Sequence, residues 1–374
     1  MSVGETTHAP PAVVRPAHVA APRPRFRPVP FFLGIAAALV LLVGQYAFEK
    51  AWAAALQATA TLTAVRVAVN AVLLVAAAFV FFRWVLRQID ARYHAPVFIT
   101  VILVGAQVYY GVLENYSVPW LGTLTGGWIT SFSPTFMTIL AAVGTELVLG
   151  RLAYGKWINP ASAYVSGISA GILIKSPELW PFVLCAMISI ASKYALRVNG
   201  RHLWNPTNFG VTVLLLLAPL HTASLSVQYG NVLWANVLIW TLGALILWKI
   251  GKLHIPVTFA AVYLLLSPLR SWATGNAWAT EIAPLTGPMY QLYMCFMITD
   301  PKTTTHRKWS QCLVAALVAV AETGLRLAPT WFVASPEMLS FDAPYLALFT
   351  VGPAANLIEI WWTAGKRRPV APAL

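Results

Sequence analysis

Charge is scarce in this chain: Asp, Glu, Lys and Arg make up only 10% of its 374 residues, while 59% are hydrophobic. Soluble domains carry roughly 25% charged residues, so the composition excludes an ordinary soluble domain and belongs to a membrane protein. Acid is scarcer than base. Twelve Asp and Glu stand against 25 Lys and Arg, a formal net charge of +13. Such an excess often marks a nucleic-acid binder, but here the cations fall between apolar runs. That pattern belongs to membrane topology, and no nucleic-acid partner is expected. Cysteine is nearly lacking: Cys185, Cys295 and Cys312 all lie inside apolar runs, with no CxxC and no paired spacing. They read as small buried residues, with no disulfide and no metal site expected. The chain also has no phosphate-binding glycine loop, no GxGxxG with a following acid, no HExxH and no nucleophile elbow. Soluble-type catalysis therefore has no visible basis.

What the chain does have is long apolar runs. A crossing needs about 20 apolar residues, fewer where a helix stops inside the protein. Spans are expected at about 31–48, 62–86, 97–113, 129–150, 161–174, 178–196, 208–220, 231–250, 255–268, 287–299, 311–327 and 343–362. The fold class is thus all-α, a polytopic transmembrane bundle of about 10–12 spans that includes short half-helices. Sixteen Trp and thirteen Tyr suit interfacial belts. Twelve crossings put both termini on one side. With that side cytoplasmic, twenty of the 25 Lys and Arg fall at inner loops and span ends, leaving Lys50, Arg66, Lys175, Arg270 and Arg326 outside. This is the positive-inside bias, and it predicts a multi-pass protein of the inner (plasma) membrane. Residues 1–30, with seven prolines and Arg15, Arg23, Arg25 and Arg27, read as a disordered basic cytoplasmic arm. A signal peptide cleaved near Ala53-Ala54-Ala55 is the rival, but the charged stretch before it is too long. Residues 365–374 read as a cytoplasmic tail.

Three turns share one chemistry. Asn159-Pro160, Asn205-Pro206 and Asp300-Pro301 all fall on the predicted inner face, each ahead of an apolar run. Asn or Asp suits the N-cap of a helix, and Pro its first position. The expectation is that all three start helices, the first two short. Interrupted short spans point to binding sites in transporter-like folds, and their amide ends can face an anion or a polar ring. Asn208, Thr303, Thr304 and Thr305 add polar groups around two of these turns. The bland reading is that each turn is an ordinary helix start.

Ionisable residues inside spans are costly and therefore informative. Lys193, one turn before Arg197, either snorkels to the inner boundary or pairs with a buried carboxylate or ligand. Glu146, near the inner end of its span, could be its partner, and Asp300 is a second carboxylate that could neutralise Lys193. Glu322 precedes Arg326 by four residues, the favourable order for an intrahelical pair. Glu359 reads as interfacial, as do His202 and His306.

The strings GTELVLG (144–150), ASKYALRVNGRHLWNPTNFG (191–210) and MITDPKTT (297–304) resemble, in that order, the signature of the RnfD/NqrB-like family. They are most similar to its UnbU-type branch, membrane proteins encoded in enediyne gene clusters. The resemblance covers about residues 140–362. It implies a transmembrane domain at 96–364, two added N-terminal helices at 31–95, and inverted repeats. It also implies other membrane or redox subunits as partners in electron transfer coupled to ion movement. Redox members attach FMN to a threonine in an S/T-G-A-T loop. The corresponding loop here, HTASLSVQYG (221–230), is short and lacks the motif, so covalent FMN is not expected. What the resemblance leaves is a noncovalent flavin, FMN or riboflavin, or none, held by Lys193, Asn205, Asn208, Thr299, Asp300, Thr303 and Thr304, with Glu146 and Lys193 on a charge pathway. A solute or ion carrier of the same architecture and a non-catalytic scaffold for a biosynthetic complex are the alternatives.

Overall fold

The computed structural model describes residues 60–89, 131–224, 233–331 and 338–365, with isolated positions at 29–41 and 96–126. Nearly all of the expected basic arm, most of the spans at 31–48 and 97–113, loop residues 225–230 and the tail beyond 365 lie outside the described residues. Within them the chain is helical, and strand structure is confined to two-residue ladders. The helices are α1 (Ala60–Val80), α2 (Pro134–Tyr154), α3 (Ala161–Leu173), α4 (Trp180–Ala195), α5 (Pro206–Leu217), α6 (Leu233–Lys249), α7 (His254–Leu265) and α8 (Ser267–Thr274). They continue with α9 (Trp278–Ile282), α10 (Pro288–Leu292, prolonged by a π-helical turn at Tyr293–Met297), α11 (Lys308–Trp331), α12 (Met338–Phe341) and α13 (Ala343–Gly365).

Four helical stretches are long and apolar enough to cross a membrane: Pro134–Tyr154, His254–Thr274, Lys308–Trp331 and Ala343–Thr363. At 1.5 Å per residue, a 21-residue helix reaches about 31 Å, the thickness of a hydrocarbon core. Helix α2 shows how such a span is delimited. Pro134 supplies a fixed φ at the first position, and Gly155 closes the far end at φ 67°, donating its N–H to the Arg151 carbonyl.

By contrast α3, α5 and α10 are short and enclosed. Nine of the thirteen α3 residues and every α10 residue are buried. Helices of about 20 Å or less cannot cross alone, so their ends must find partners within the protein. Small residues allow the enclosure. A Cβ at Gly167 or Gly171 of α3 would meet the α2 backbone, 2.8 Å from Ile139 Cα and 2.6 Å from Thr135 Cα. One at Gly210 of α5 would lie 2.0 Å from Ser189 Oγ and 2.6 Å from the Cys185 carbonyl oxygen. The helices pack backbone to backbone, the small-xxx-small geometry of membrane helices. The core beside them is aromatic: Tyr263, Tyr290, Tyr293 and Tyr345 are buried with successive ring centroids 5.7 Å apart.

Two expectations are corrected. Asp300-Pro301 opens no helix: a single turn follows it, and the next helix, α11, begins at Lys308. The apolar run at 255–268 continues to Thr274, because Pro268 sits in the first turn of α8, where its missing N–H costs nothing.

Candidate functional site

The two turns at Asn205 and Asp300 meet. Asn205 has extended backbone (φ −61°, ψ 124°), and its Oδ1 accepts the Asn208 N–H at 3.0 Å, so it caps α5 as expected. Its Nδ2 then donates to Asp300 Oδ2 at 3.3 Å and to the Met297 carbonyl at 3.4 Å. Asp300 holds its own turn closed: Oδ1 accepts the Lys302 N–H at 3.1 Å, Oδ2 the Thr303 hydroxyl at 3.0 Å, and its carbonyl the Thr304 N–H and hydroxyl. It is an Asx turn, which Asp favours because its side chain imitates a backbone carbonyl.

A hairpin and a helix clamp this pair. Asn199 and Gly200, at φ 52° and 78°, form the tight turn between Arg197–Val198 and Arg201–His202, as Asn-Gly does when two strands twist together. The hairpin delivers Arg201, whose Nη2 donates to the Thr304 carbonyl at 2.6 Å and to Asn356 Oδ1 at 3.2 Å. Its Nη1 lies 2.7 Å from Glu359 Oε2. Asn356, fully buried in α13, donates to the carbonyls of Thr303 at 2.6 Å and Leu203 at 3.0 Å. Glu359 also accepts the His306 N–H at 2.8 Å. From the α6–α7 loop, Lys252 donates to the Thr304 hydroxyl at 2.8 Å. Burial holds its pKa below the ordinary lysine value, and the Asp300 charge opposes that shift.

Lys193 stands beside this junction. Its Nζ lies 2.5 Å from Glu146 Oε2, joining α4 to α2, with both side chains under a tenth exposed. Of the two carboxylates the sequence offers to Lys193, the structure uses Glu146 and not Asp300, since α4 turns the ammonium toward α2. Lys302 is the charge of the 300-turn that Lys193 feels. Of the remaining expected residues, Asn208 is buried one turn into α5 with Nδ2 on the Tyr345 carbonyl. Thr299 is buried and bonds back to the Cys295 carbonyl. Asn205, Asp300, Thr303 and Thr304 thus form one unit, and Asn208, Thr299 and Lys193 lie around it.

Sequence reasoning did not single out Arg201, Lys252 or Asn356, and it gave Glu359 only an interfacial role. Two signals were available: the Asn-Gly dipeptide just ahead of Arg201, and a lone Asn in the apolar run of α13.

Three buried polar atoms around the junction have no partner among the described residues: Asn208 Oδ1, His202 Nδ1 and Thr305 Oγ1. Burial, reinforced by Arg197, Lys302 and Lys193, lowers the His202 pKa to about 4, so the ring is neutral at pH 7. Such atoms suit a polar ligand with donor and acceptor edges, and the Lys252 ammonium suits an anionic group.

A second polar cluster lies at the other end of α7–α8 and α11. Glu322, fully buried, takes the Tyr290 hydroxyl at 2.5 Å and Arg326 Nε at 2.9 Å on one oxygen, which forms the intrahelical pair. Its second oxygen has no partner. Arg270, expected in an outer loop, is fully buried. It is satisfied by Glu281 Oε2 at 3.2 Å, the carbonyls of Glu281 and Tyr263, and the Thr323 hydroxyl. Among the described residues, no group of three His, Cys, Asp or Glu side chains is placed to hold a metal.

No family model matches the chain, and no curated protein matches it.

Proposed function

We propose that the chain is a multi-pass subunit of the plasma membrane, with about 10–12 spans, inverted repeats and cytoplasmic termini. In this reading it works in membrane electron transfer beside other redox subunits. The Lys193–Glu146 pair carries the reading. A buried ammonium and carboxylate inside apolar helices cost several kcal/mol to desolvate, and intramembrane charge of this kind marks pathways and ligand sites. It adjoins a turn unit that rigidly presents unpaired polar atoms. Asn208 Oδ1, His202 Nδ1, Thr305 Oγ1 and the Lys252 ammonium would hold a noncovalent flavin, while Asn205, Asp300, Arg201 and Asn356 keep those groups in place. Bound flavin would supply one- and two-electron transfer.

The test is the absorption spectrum of gently purified protein, followed by acid release of the chromophore. A yellow protein that yields free flavin supports the proposal. In-gel flavin fluorescence after denaturation would show covalent attachment instead. Colourless protein from riboflavin-fed cells, with no electron transfer to partner subunits, would overturn the redox reading.

A second reading, a carrier for a small solute or ion, draws on the buried Glu322 cluster. Polar groups then serve both ends of the helical core, as alternating access requires. Solute flux in proteoliposomes without any chromophore would favour it. Co-purification with biosynthetic partners, without flux or flavin, would leave a scaffold.

A further inference from the structure

At the junction end four exposed tryptophans stand directly beside exposed cations, while two more near the end of α13, Trp361 and Trp362, do not. Lys156-Trp157, Trp248-Lys249 and Lys308-Trp309 belong to separate elements, with their indoles 71%, 69% and 63% exposed. Arg83-Trp84 repeats the pattern after α1, and Lys249 lies over the neighbouring Phe82 ring at 5.6 Å. The other end has exposed tryptophans too, at Trp180, Trp272, Trp278 and Trp331, but none has a cation as sequence neighbour. At that end Arg270 and Arg326 are tied to Glu281 and Glu322. Among the described residues acid does not cancel the charge at the junction end: Glu146 and Glu359 are paired internally, and Asp300 is engaged by its own turn. Lys156 and Lys308 have no ion-pair partner among the described residues.

Indole rings settle at the level of lipid headgroups, apolar body inward and N–H toward water. A cation one residue away is then held at phosphate depth. We infer that the junction end carries a ring of binding positions for anionic phospholipid headgroups, a selective surface and more than a generic membrane boundary. The inference rests on the multi-pass reading above, but not on electron transfer. It commits to lipid because each of these cations stands next in sequence to an exposed indole; a soluble acidic partner needs cations but no exposed indole beside each of them.

The test measures association of spin-labelled phosphatidylglycerol and phosphatidylcholine with the full chain in phosphatidylcholine vesicles, by electron spin resonance. A cation near an anionic surface is worth about a fivefold preference, so phosphatidylglycerol should be preferred severalfold, and less so at high salt. The double variant Lys156→Gln/Lys308→Gln should lose about half of that preference, while Lys175→Gln at the other end should keep it. These side chains are exposed, and the elution profile of each variant checks its folding. Inorganic phosphate should not compete; full competition would assign the site to free phosphate and overturn the lipid inference. Equal association of the two lipids in wild-type vesicles would also overturn it. So would an unchanged preference in the double variant, or salt-sensitive capture of polyglutamate without lipid preference, which would give the face to an acidic protein. Failure of the multi-pass reading would show separately, as protein extractable from vesicles by alkaline wash.

Discussion

At the junction Arg201 reaches acceptors 103, 155 and 158 positions away in sequence; in the opposite cluster Arg326 meets Glu322 four positions away and Arg270 meets Glu281 eleven away. The opposite cluster needs only α7 to α11, which are consecutive in the chain, and its longest contact, Arg270 to Thr323, spans 53 positions. The junction forms only once a hairpin, an Asx turn and the last helix have come together, and closing such loops costs entropy that grows with length. Long-range polar contacts of this kind tie the halves of a bundle together. Local ones stabilise the element that carries them.

The largest expected effect tests that contrast with buried charge. Lys193→Met strands Glu146 in α2 and should cost about 3–5 kcal/mol, read as a lowered midpoint of thermal unfolding in detergent. Much of the loss should return in the Glu146→Gln/Lys193→Met double variant. Glu322→Gln should cost less, because Arg326, at 20% side-chain exposure, can swing its head toward the surface. Equal losses at the two sites would abolish the contrast.

Next comes Asn356→Leu, which strands the Thr303 and Leu203 carbonyls and one Arg201 contact. Each buried group left unsatisfied costs about 1–3 kcal/mol. Amide hydrogen exchange should quicken in residues 302–306, with that of α8 and α9 unchanged. Acceleration at both ends would show that the two regions are one cooperative unit.

Asp300 sharpens the question of site against scaffold. Asp300→Ala should cost about 0.5–2 kcal/mol, the size of a lost cap. Asp300→Asn keeps an acceptor for the Lys302 N–H but removes the charge that offsets burial of Lys252. A functional junction predicts normal stability for the Asn variant, with weakened retention of ligand or loss of complex activity. Wild-type behaviour in both assays would leave the turn purely structural.

The smallest effect is a pH slope. His202 has a native pKa of about 4 against an ordinary 6.5. Between those values the unfolded chain holds a proton that the native chain does not, so protonation favours unfolding. The thermal midpoint should fall as pH drops from 6.5 toward about 4, and His202→Gln should flatten that part of the fall. An unchanged slope would place the titrating group elsewhere.

Helix positions were the most legible feature, because apolar runs of 12–24 residues leave a chain in lipid few alternatives to helix. Expected runs at 161–174, 178–196, 231–250 and 343–362 correspond closely to α3, α4, α6 and α13. The site was legible only in part. Asn205 has the local role its dipeptide suggests. Asp300 does not, since Asx-Pro fits an Asx turn as well as an N-cap and local chemistry cannot choose between them. Arg201 looked like one more loop cation, because nothing near it in sequence contains its partners.

The sequence by itself determined that the described chain is helical and apolar, where most of its longer helices lie to within a few residues, and that Asn205 caps one of them. Those properties depend on hydrophobicity and on backbone groups a few residues apart. Only the tertiary structure decided that Lys193 turns to Glu146 and away from Asp300. It alone joined the turns at 205 and 300 through Arg201 and Asn356, and enclosed Arg270 among acceptors. Pairing of buried charge depends on which helix faces lie within about 4 Å after packing, and packing is a property of the whole chain.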